Sequence, residues 1–208
     1  MNAQTAMPEP DPAVAQEDRA RADFYGLIAR LFFAGPDAGL LAALGAADEL
    51  AGEGANVALA QTWNSLIAAA AAMDAEAAQA EYDSVFVGTG KAEVTPYAAH
   101  YLVESMKENV LVRLRAELAA MGLARHPDTA ELEDHFSGLC EVMRHLISFA
   151  SDVAVRKQKN FFMDYLSQCY AGFCMAVVAS PNTNFYKHVA RFTQAFLDLE
   201  AESFEIAQ

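Results

Sequence analysis

Basic residues are scarce in this chain of 208 residues, which has 14 lysines and arginines against 28 acidic residues. No lysine or arginine occurs between Arg30 and Lys91. The net charge of −14 repels phosphate backbones, so the composition excludes a general nucleic-acid-binding protein. The same charge would steer a cationic peptide towards the surface, although apolar burial would have to supply most of its affinity.

Cysteines are few, and long apolar runs are missing. Cys140, Cys169 and Cys174 are an odd number without a C-x-x-C pair, which excludes a disulfide framework and a zinc ribbon. Outside an alanine tract the longest apolar run is 173–179, whereas a membrane span needs about 20 residues. The N-terminus lacks the basic and apolar regions of a signal peptide. These absences predict a cytoplasmic protein without an integral membrane segment.

Apolar residues recur with helical spacing, and we find no period-two alternation that would indicate strands. The sequence therefore predicts an all-α fold, with a disordered tail over residues 1–15, which carry three prolines, and a single globular domain over residues 16–208. The predicted helices begin near Glu17 and cover, in order, residues 17–34, 40–45, 57–73, 74–87, 95–121, a segment from 128, 161–178 and 185–199.

Two of these helices are predicted from their start signals. Thr95-Pro96 places a capping residue before a proline at the first helical position. Asp128, with Glu131 three residues later, has the spacing of a capping box.

The motifs of common enzymes are incomplete. Gly88-Thr89-Gly90-Lys91 resembles the end of a phosphate-binding loop, but Val85 occupies the place of the first glycine and Ala92 that of the serine or threonine. The preceding segment is predicted to be a helix rather than a strand. We therefore do not expect an enzyme.

A metal site is also not favoured. A di-iron bundle needs two E-x-x-H motifs, and no glutamate here has a histidine three residues later. The pairs Glu131/His135 and Glu141/His145 are four residues apart and could share a helix face. A surface pair or a capped turn explains both pairs without a metal.

Two stretches favour a binding function. The first joins aromatic residues to a glycine-rich loop, and the second places a histidine among acidic residues in the predicted first turns of a helix, where a cation is disfavoured. The residues in question are Tyr82, Phe86, Gly88, Pro96, Tyr97 and Tyr101 in the first stretch, and Glu131, Asp134 and His135 in the second.

At these residues the sequence resembles the TorD/DmsD/NarJ family of redox-enzyme maturation chaperones. The family pattern has an aromatic-x-x-Leu/Val-Phe-x-Gly segment, a Pro-aromatic-x-Ser-x-aromatic segment and a Glu-Pro-x-Asp-His segment. The chain supplies Tyr82, Val85, Phe86 and Gly88, then Pro96, Tyr97, Ala99 and Tyr101, then Glu131, Asp134 and His135. It departs from the pattern at Leu132, where the family has proline, and at Ala99, where the family has serine.

The resemblance implies a helical chaperone that binds the twin-arginine signal peptide, the apo-core, or both, of the catalytic subunit of a molybdopterin-dependent oxidoreductase. Export of the client would wait until its cofactor is inserted. The nine residues of the two stretches would form the signal-peptide site. An assembly chaperone of a non-exported molybdoenzyme, as in the NarJ branch, and a nucleotide- or metal-dependent switch remain alternatives. The family also implies no resident cofactor, weak guanine-nucleotide binding, and either monomers or domain-swapped dimers.

Overall fold

The computed structural model describes residues 12–88, 91–102, 109–126, 128–148 and 152–206, without the side chains of residues 12–15, 55 and 152–154. Over these residues the chain forms nine α-helices and no β-strand, which confirms the all-α prediction. The helices are α1 (Pro12–Phe33), α2 (Ala38–Gly45), α3 (Val57–Ala72), α4 (Ala75–Tyr82), α5 (Val110–Ala120), α6 (Phe136–Ile147), α7 (Asp152–Phe161), α8 (Tyr170–Ala179) and α9 (Tyr186–Ile206).

Local signals set the bounds of the first four helices. The segment Gly35-Pro36 follows the end of α1, and the Asp37 carboxylate caps α2 by accepting a hydrogen bond from the Leu40 amide at 2.7 Å. Helix α1 begins at Pro12, within the segment that we expected to be a tail, and residues 1–11 lie outside the described residues. Five residues in π-helical conformation, Asp83–Val87, continue α4 to Gly88.

The core is an aromatic cluster between α1, α6, α8 and α9. Its centre is Phe32, which is fully buried at the end of the apolar stripe of α1. The Phe32 ring centroid lies 4.8 Å from that of Phe173 and 5.6 Å from that of Phe136. Phe86 is 5.8 Å away on the π-helical segment. Such edge-to-face pairs each add about 0.5–1.5 kcal/mol beyond the burial of their area.

The carboxylate of Glu81, on α4, caps the N-terminus of α9. It accepts hydrogen bonds from the backbone amides of Asn184 at 2.8 Å, Phe185 at 3.0 Å and Tyr186 at 2.7 Å. The first amides of a helix have no partner within it, and their end of the helix attracts negative charge. Glu81 therefore fixes α9 to α4 from a position about one hundred residues away in sequence.

We expect Glu81→Gln to lower the free energy of unfolding by about 1–2 kcal/mol, because three amides lose a charged acceptor. The control is Glu76→Gln, which removes the same charge from an exposed position on the same helix. Urea unfolding followed by circular dichroism measures both. Equal unfolding midpoints for the two variants would contradict this role of Glu81.

The start of the helix predicted over 95–121 is wrong, whereas its end is confirmed by α5, which ends at Ala120 before Gly122 with its φ of +74°. Tyr97 has extended backbone angles, Ala98–His100 is a single 3-10 turn, and α5 begins at Val110. The start predicted at Asp128 is also wrong, because the helix that follows, α6, begins at Phe136 with His135 as its N-cap. In the first case the Ala98 amide donates to the distant Asp134 carbonyl instead of to the local cap that the start signal predicts.

The helix predicted over 161–178 is broken. The segment Phe162–Leu166 is π-helical, residues 167–169 form a turn, and α8 begins at Tyr170.

In the described part of the chain no single helix is both long and apolar enough to cross a bilayer. One pair of helical segments, Val155–Leu166 and Tyr170–Ala179, has the required length and composition when the two are taken together. The pair is bent by 48° at the break between them.

Candidate functional site

Two distant segments meet in a short antiparallel bridge between Tyr97 and His135. The Ala98 amide donates to the Asp134 carbonyl at 2.9 Å, and the Phe136 amide donates to the Pro96 carbonyl at 2.8 Å. This bridge joins the second and third segments of the family pattern, which begin at Pro96 and Glu131 and which we call the second and third motifs. We call the segments 95–99 and 131–137 the corner.

His135 has a structural position in the corner. Its Nδ1 accepts the Ser137 amide at 3.3 Å and lies 2.9 Å from the Ser137 hydroxyl, so the imidazole caps α6. Because Nδ1 accepts from an amide, the neutral form of the ring with Nδ1 unprotonated suits this arrangement. The Tyr97 ring packs edge-on against the imidazole, with centroids 5.3 Å apart. His135 is 3% exposed, and burial lowers its pKa.

Asp134 ties the two segments together from inside. One carboxylate oxygen, Oδ2, accepts the Ala99 amide at 3.1 Å, whereas Oδ1 has no hydrogen-bond partner among the described residues. The side chain is buried, and burial raises its pKa. The position therefore explains how Asp134 fixes the turn at Ala98–His100, but it does not present the carboxylate to solvent.

Glu131 and Glu133 lie on the outer side of the corner, and both are partly exposed. The Tyr97 hydroxyl donates to Oε2 of Glu131. Arg115 of α5 pairs with Glu133 at 2.9 Å, and this hydrogen bond lowers the pKa of the Glu133 carboxyl. Of these two carboxylates, Glu131 is the one without an ion pair among the described residues.

An apolar groove of about 400 Å³ lies beside the corner. The groove runs along one face of α6, and residues at helical spacing on that face form one of its walls. The end of α1, Leu118 of α5 and the connection from α5 to α6 close the groove. Phe33 and Leu132, both exposed large apolar side chains, stand at its edges. Its other lining residues include Leu123, Arg125, Glu131, Glu133, His135, Gly138, Glu141, Val142 and His145.

The residues of the first motif pack inside. Tyr82 and Phe86 are 8% and 6% exposed, and their rings pack together with centroids 5.3 Å apart. The Tyr82 hydroxyl donates to the Phe33 carbonyl at 2.7 Å, and burial raises its pKa to about 12. Tyr82 thereby positions the end of α1 that forms one edge of the groove.

Gly88 has a backbone role. Its φ of +64° favours glycine, and a Cβ there would collide with the Lys91 carbonyl oxygen. Its amide donates to the Asp83 carbonyl at 2.7 Å. This amide is therefore not directed at a ligand. Thr89 and Gly90, the rest of the glycine-rich loop, lie outside the described residues.

Tyr101 is a half-buried part of the core surface. Its hydroxyl donates to the Thr95 carbonyl at 2.8 Å, and its ring packs edge-on against Phe173 at 5.9 Å. Pro96, at the other end of this segment, is buried. Substitution of Tyr101 would therefore affect stability as well as any binding.

The structure brings together Tyr97, Glu131, Asp134 and His135, and it places only Glu131 and His135 of these on the groove. Sequence reasoning missed the apolar lining from α1, α5 and α6. One signal was available: Leu132 is a large apolar residue between two acids, in a segment that contributes no helical stripe. In the described part of the chain no group of three or more histidine, cysteine, aspartate or glutamate residues could hold a metal ion.

We expect acid to destabilise the native state partly through His135. Its lowered pKa means that the unfolded chain binds a proton where the folded chain does not, so this stability is fully present above the unfolded-state pKa of about 6.5 and is lost as the pH falls from there through the lower pKa of the folded state. Glu131 opposes the effect, because its negative charge favours the imidazolium. Asp134, with a raised pKa, has the opposite effect at lower pH.

The variant His135→Asn tests this pH dependence, because asparagine can cap the helix with its side-chain oxygen and does not titrate. The free energy of unfolding should change less between about pH 7.5 and about pH 5.5 in the variant than in the natural protein. Parallel pH profiles would rule out His135 as the source.

The chain is similar to proteins of one family in sequence and in fold. The family model described as the nitrate reductase delta subunit matches residues 53–175, which is more than half of the chain and includes all three motifs. The crystal structure of a candidate redox enzyme maturation protein from Archaeoglobus fulgidus is similar in fold, with a TM-score of 0.51 and 18% identity over 95% of this chain and 99% of that one. The search of curated proteins gives no significant match.

Proposed function

Because the chain belongs to the nitrate reductase delta subunit family, a family of redox-enzyme maturation chaperones for molybdoenzymes, we propose that it binds the twin-arginine signal peptide and the apo-core of one such client. The client is the catalytic subunit of a molybdopterin-dependent oxidoreductase, held in the cytoplasm until its cofactor is inserted. The protein acts by binding and not by catalysis.

The groove beside the corner carries this proposal. A twin-arginine peptide has a basic pair followed by a moderately apolar stretch. The groove offers apolar side chains such as Phe33, Leu132 and Val142 next to the carboxylates of Glu131 and Glu141. A cationic and apolar peptide therefore has complementary surface in one place.

Apolar contacts and ion pairs would contribute to peptide binding in different ways. Burying one leucine or phenylalanine is worth about 1.5–3 kcal/mol, whereas an exposed ion pair contributes about 0.2–1 kcal/mol. Apolar burial would therefore supply most of the affinity, offset by the cost of ordering the peptide. The net charge of −14 would accelerate encounter with a basic peptide and orient it.

The motif residues take different parts in this proposal. Glu131 receives a guanidinium at the groove, oriented by the Tyr97 hydroxyl. Asp134 and His135 hold the corner in shape through the Ala99 and Ser137 amides. Tyr82, Phe86, Gly88, Pro96 and Tyr101 support it from the core side.

A second candidate is an assembly chaperone that binds the client core without a signal peptide. The family description favours it, because it names a subunit of nitrate reductase. Co-purification with a client that lacks its signal peptide separates the two. Retention of the truncated client at full yield supports the second candidate, and a reduced yield supports the first.

Calorimetry tests the peptide proposal directly. We expect micromolar affinity for a synthetic twin-arginine peptide and a loss of about tenfold when both arginines become glutamine, a change of about 1.4 kcal/mol. Separate titrations with GTP and with Zn²⁺ test the switch alternative. Saturable binding of either one without peptide binding would overturn the proposal.

A further inference from the structure

Arg125 places the chain's own guanidinium in the groove. This residue follows α5 and is 38% exposed as a side chain. Its Nη1 donates to the Thr129 carbonyl and, at 3.4 Å, to the Glu131 carbonyl. Its Nε lies 3.8 Å from Oε1 of Glu133. A cation of the same chemistry as an arginine of the ligand therefore already lies among the acceptors of the groove.

The three acidic side chains of the groove are occupied to different degrees. Glu141 pairs with Arg144 at 3.2 Å, and both are half-exposed. Glu133 pairs closely with Arg115 through Oε2 and loosely with Arg125 through Oε1. Glu131 accepts the Tyr97 hydroxyl and has no cation among the described residues. The Glu131 carboxylate is therefore open to the first arginine of a peptide. For the second arginine, the nearest acceptor in sequence is Oε1 of Glu133, which Arg125 holds only loosely.

The contact between Arg125 and Glu133 is weak enough to exchange. A separation of 3.8 Å exceeds the 2.7–2.9 Å of a charge-assisted hydrogen bond, and the Arg125 side chain is 38% exposed, so water screens its contact with the 11% exposed Glu133 side chain in part. The two carbonyl contacts would keep Arg125 attached to its loop after Glu133 is released. A peptide arginine that approaches Oε1 more closely would therefore replace Arg125 at little cost.

We propose that Arg125 is an internal competitor for the second arginine of the ligand and sets the selectivity of the groove for paired arginines. The inference rests on the proposed function. When the groove is empty, Arg115 holds Oε2 of Glu133 and Arg125 occupies Oε1, so a peptide with one arginine gains only Glu131. The second arginine contributes to affinity only by displacing Arg125.

The test is a double-mutant cycle between protein and peptide, measured by fluorescence anisotropy. The peptides carry two adjacent arginines before an apolar stretch, or glutamine in place of the second arginine. The protein variants are Arg125→Gln, which keeps an amide donor for the Thr129 carbonyl, and Arg113→Gln, which removes the same charge from α5 beside Asp164. Thermal unfolding of each variant checks the fold.

Arg125→Gln should strengthen binding of the paired-arginine peptide by about three- to fivefold and leave the single-arginine peptide within about twofold. Arg113→Gln should change the affinity for both peptides slightly and by the same factor. The competitor role would be overturned if folded Arg125→Gln bound both peptides more tightly by the same factor, or if it bound the paired-arginine peptide more weakly.

A second variant, Glu133→Gln, keeps the inference testable if Arg125→Gln does not fold. It should weaken binding of the paired-arginine peptide and reduce the difference between the two peptides. An unchanged difference would show that Glu133 is not the shared acceptor and would overturn the inference. If the natural protein binds neither peptide, the proposed function itself fails, which is a separate outcome from either of these.

Discussion

Replacing Arg21 by methionine is expected to lower the free energy of unfolding by about 3–5 kcal/mol, the usual cost of leaving one partner of a buried ion pair alone. The Arg21 guanidinium of α1 forms a two-point pair with Glu200 of α9, at 2.7 and 2.9 Å. The Tyr25 hydroxyl donates to the same carboxylate at 3.1 Å. Glu200 is 3% exposed, so methionine would leave its buried charge without the cation that pairs with it.

Two comparisons make this prediction specific. Arg30→Met removes an equal charge from α1, but its partner Asp37 is exposed, and we expect a much smaller change. The double variant Arg21→Met with Glu200→Met should recover much of the loss, because an apolar pair of similar volume replaces the ions. Urea denaturation measures all three. A single Arg21→Met variant as stable as Arg30→Met would contradict the assigned role.

Filling the groove is expected to weaken peptide binding strongly without unfolding the protein. Gly138 is the third residue of α6 and lines the groove, and the nearest atom to a Cβ placed there is the Glu133 carbonyl oxygen at 3.4 Å. Gly138→Leu should therefore put its side chain where the peptide lies and weaken affinity by about tenfold or more, a change of at least about 1.4 kcal/mol. Stability should hold or rise, since glycine inside a helix costs about 0.5–1 kcal/mol.

The control for this substitution is Gly138→Ala, which gives most of the gain in helix propensity with only one added methyl group. Its affinity should remain within about threefold of the natural protein, a change of about 0.7 kcal/mol. If Gly138→Leu is as stable as Gly138→Ala and binds equally well, the peptide lies elsewhere.

The sequence is sufficient for those parts of the fold that depend on nearby residues. The stripe that ends at Phe32 predicts the buried face of α1, and Asp37 and Asp74 both cap the helices that follow them. These features need only a few residues of context, because capping and amphipathic spacing act within one or two turns.

The corner was not predictable in this way. Thr95-Pro96 has a good helix start signal, but the Ala98 amide bonds to the carbonyl of Asp134, thirty-six positions away along the chain. A pattern within a window of residues cannot show that a distant carbonyl takes the place of a helical one. The same bridge makes His135, rather than Asp128, the cap of α6.

The groove was predictable only in its chemistry. The residues Glu131 and His135 mark one end of it, but its apolar lining comes from α1, α5 and α6, which meet through tertiary packing. The resemblance placed the aromatic residues of the motifs in the signal-peptide site. Instead Tyr82 and Phe86 pack against the core, and Phe33 and Leu132 supply the exposed apolar surface.

The location of the bound peptide tests the central claim most directly. A twin-arginine peptide with a benzophenone group in its apolar stretch would be irradiated with the natural protein, and the crosslinked residues would be identified by mass spectrometry. We predict crosslinks to Phe33, Leu132 and Val142, and their suppression in Gly138→Leu. Crosslinks confined to residues outside the groove, for example to Thr62 of α3 and Gln194 of α9, would contradict the account.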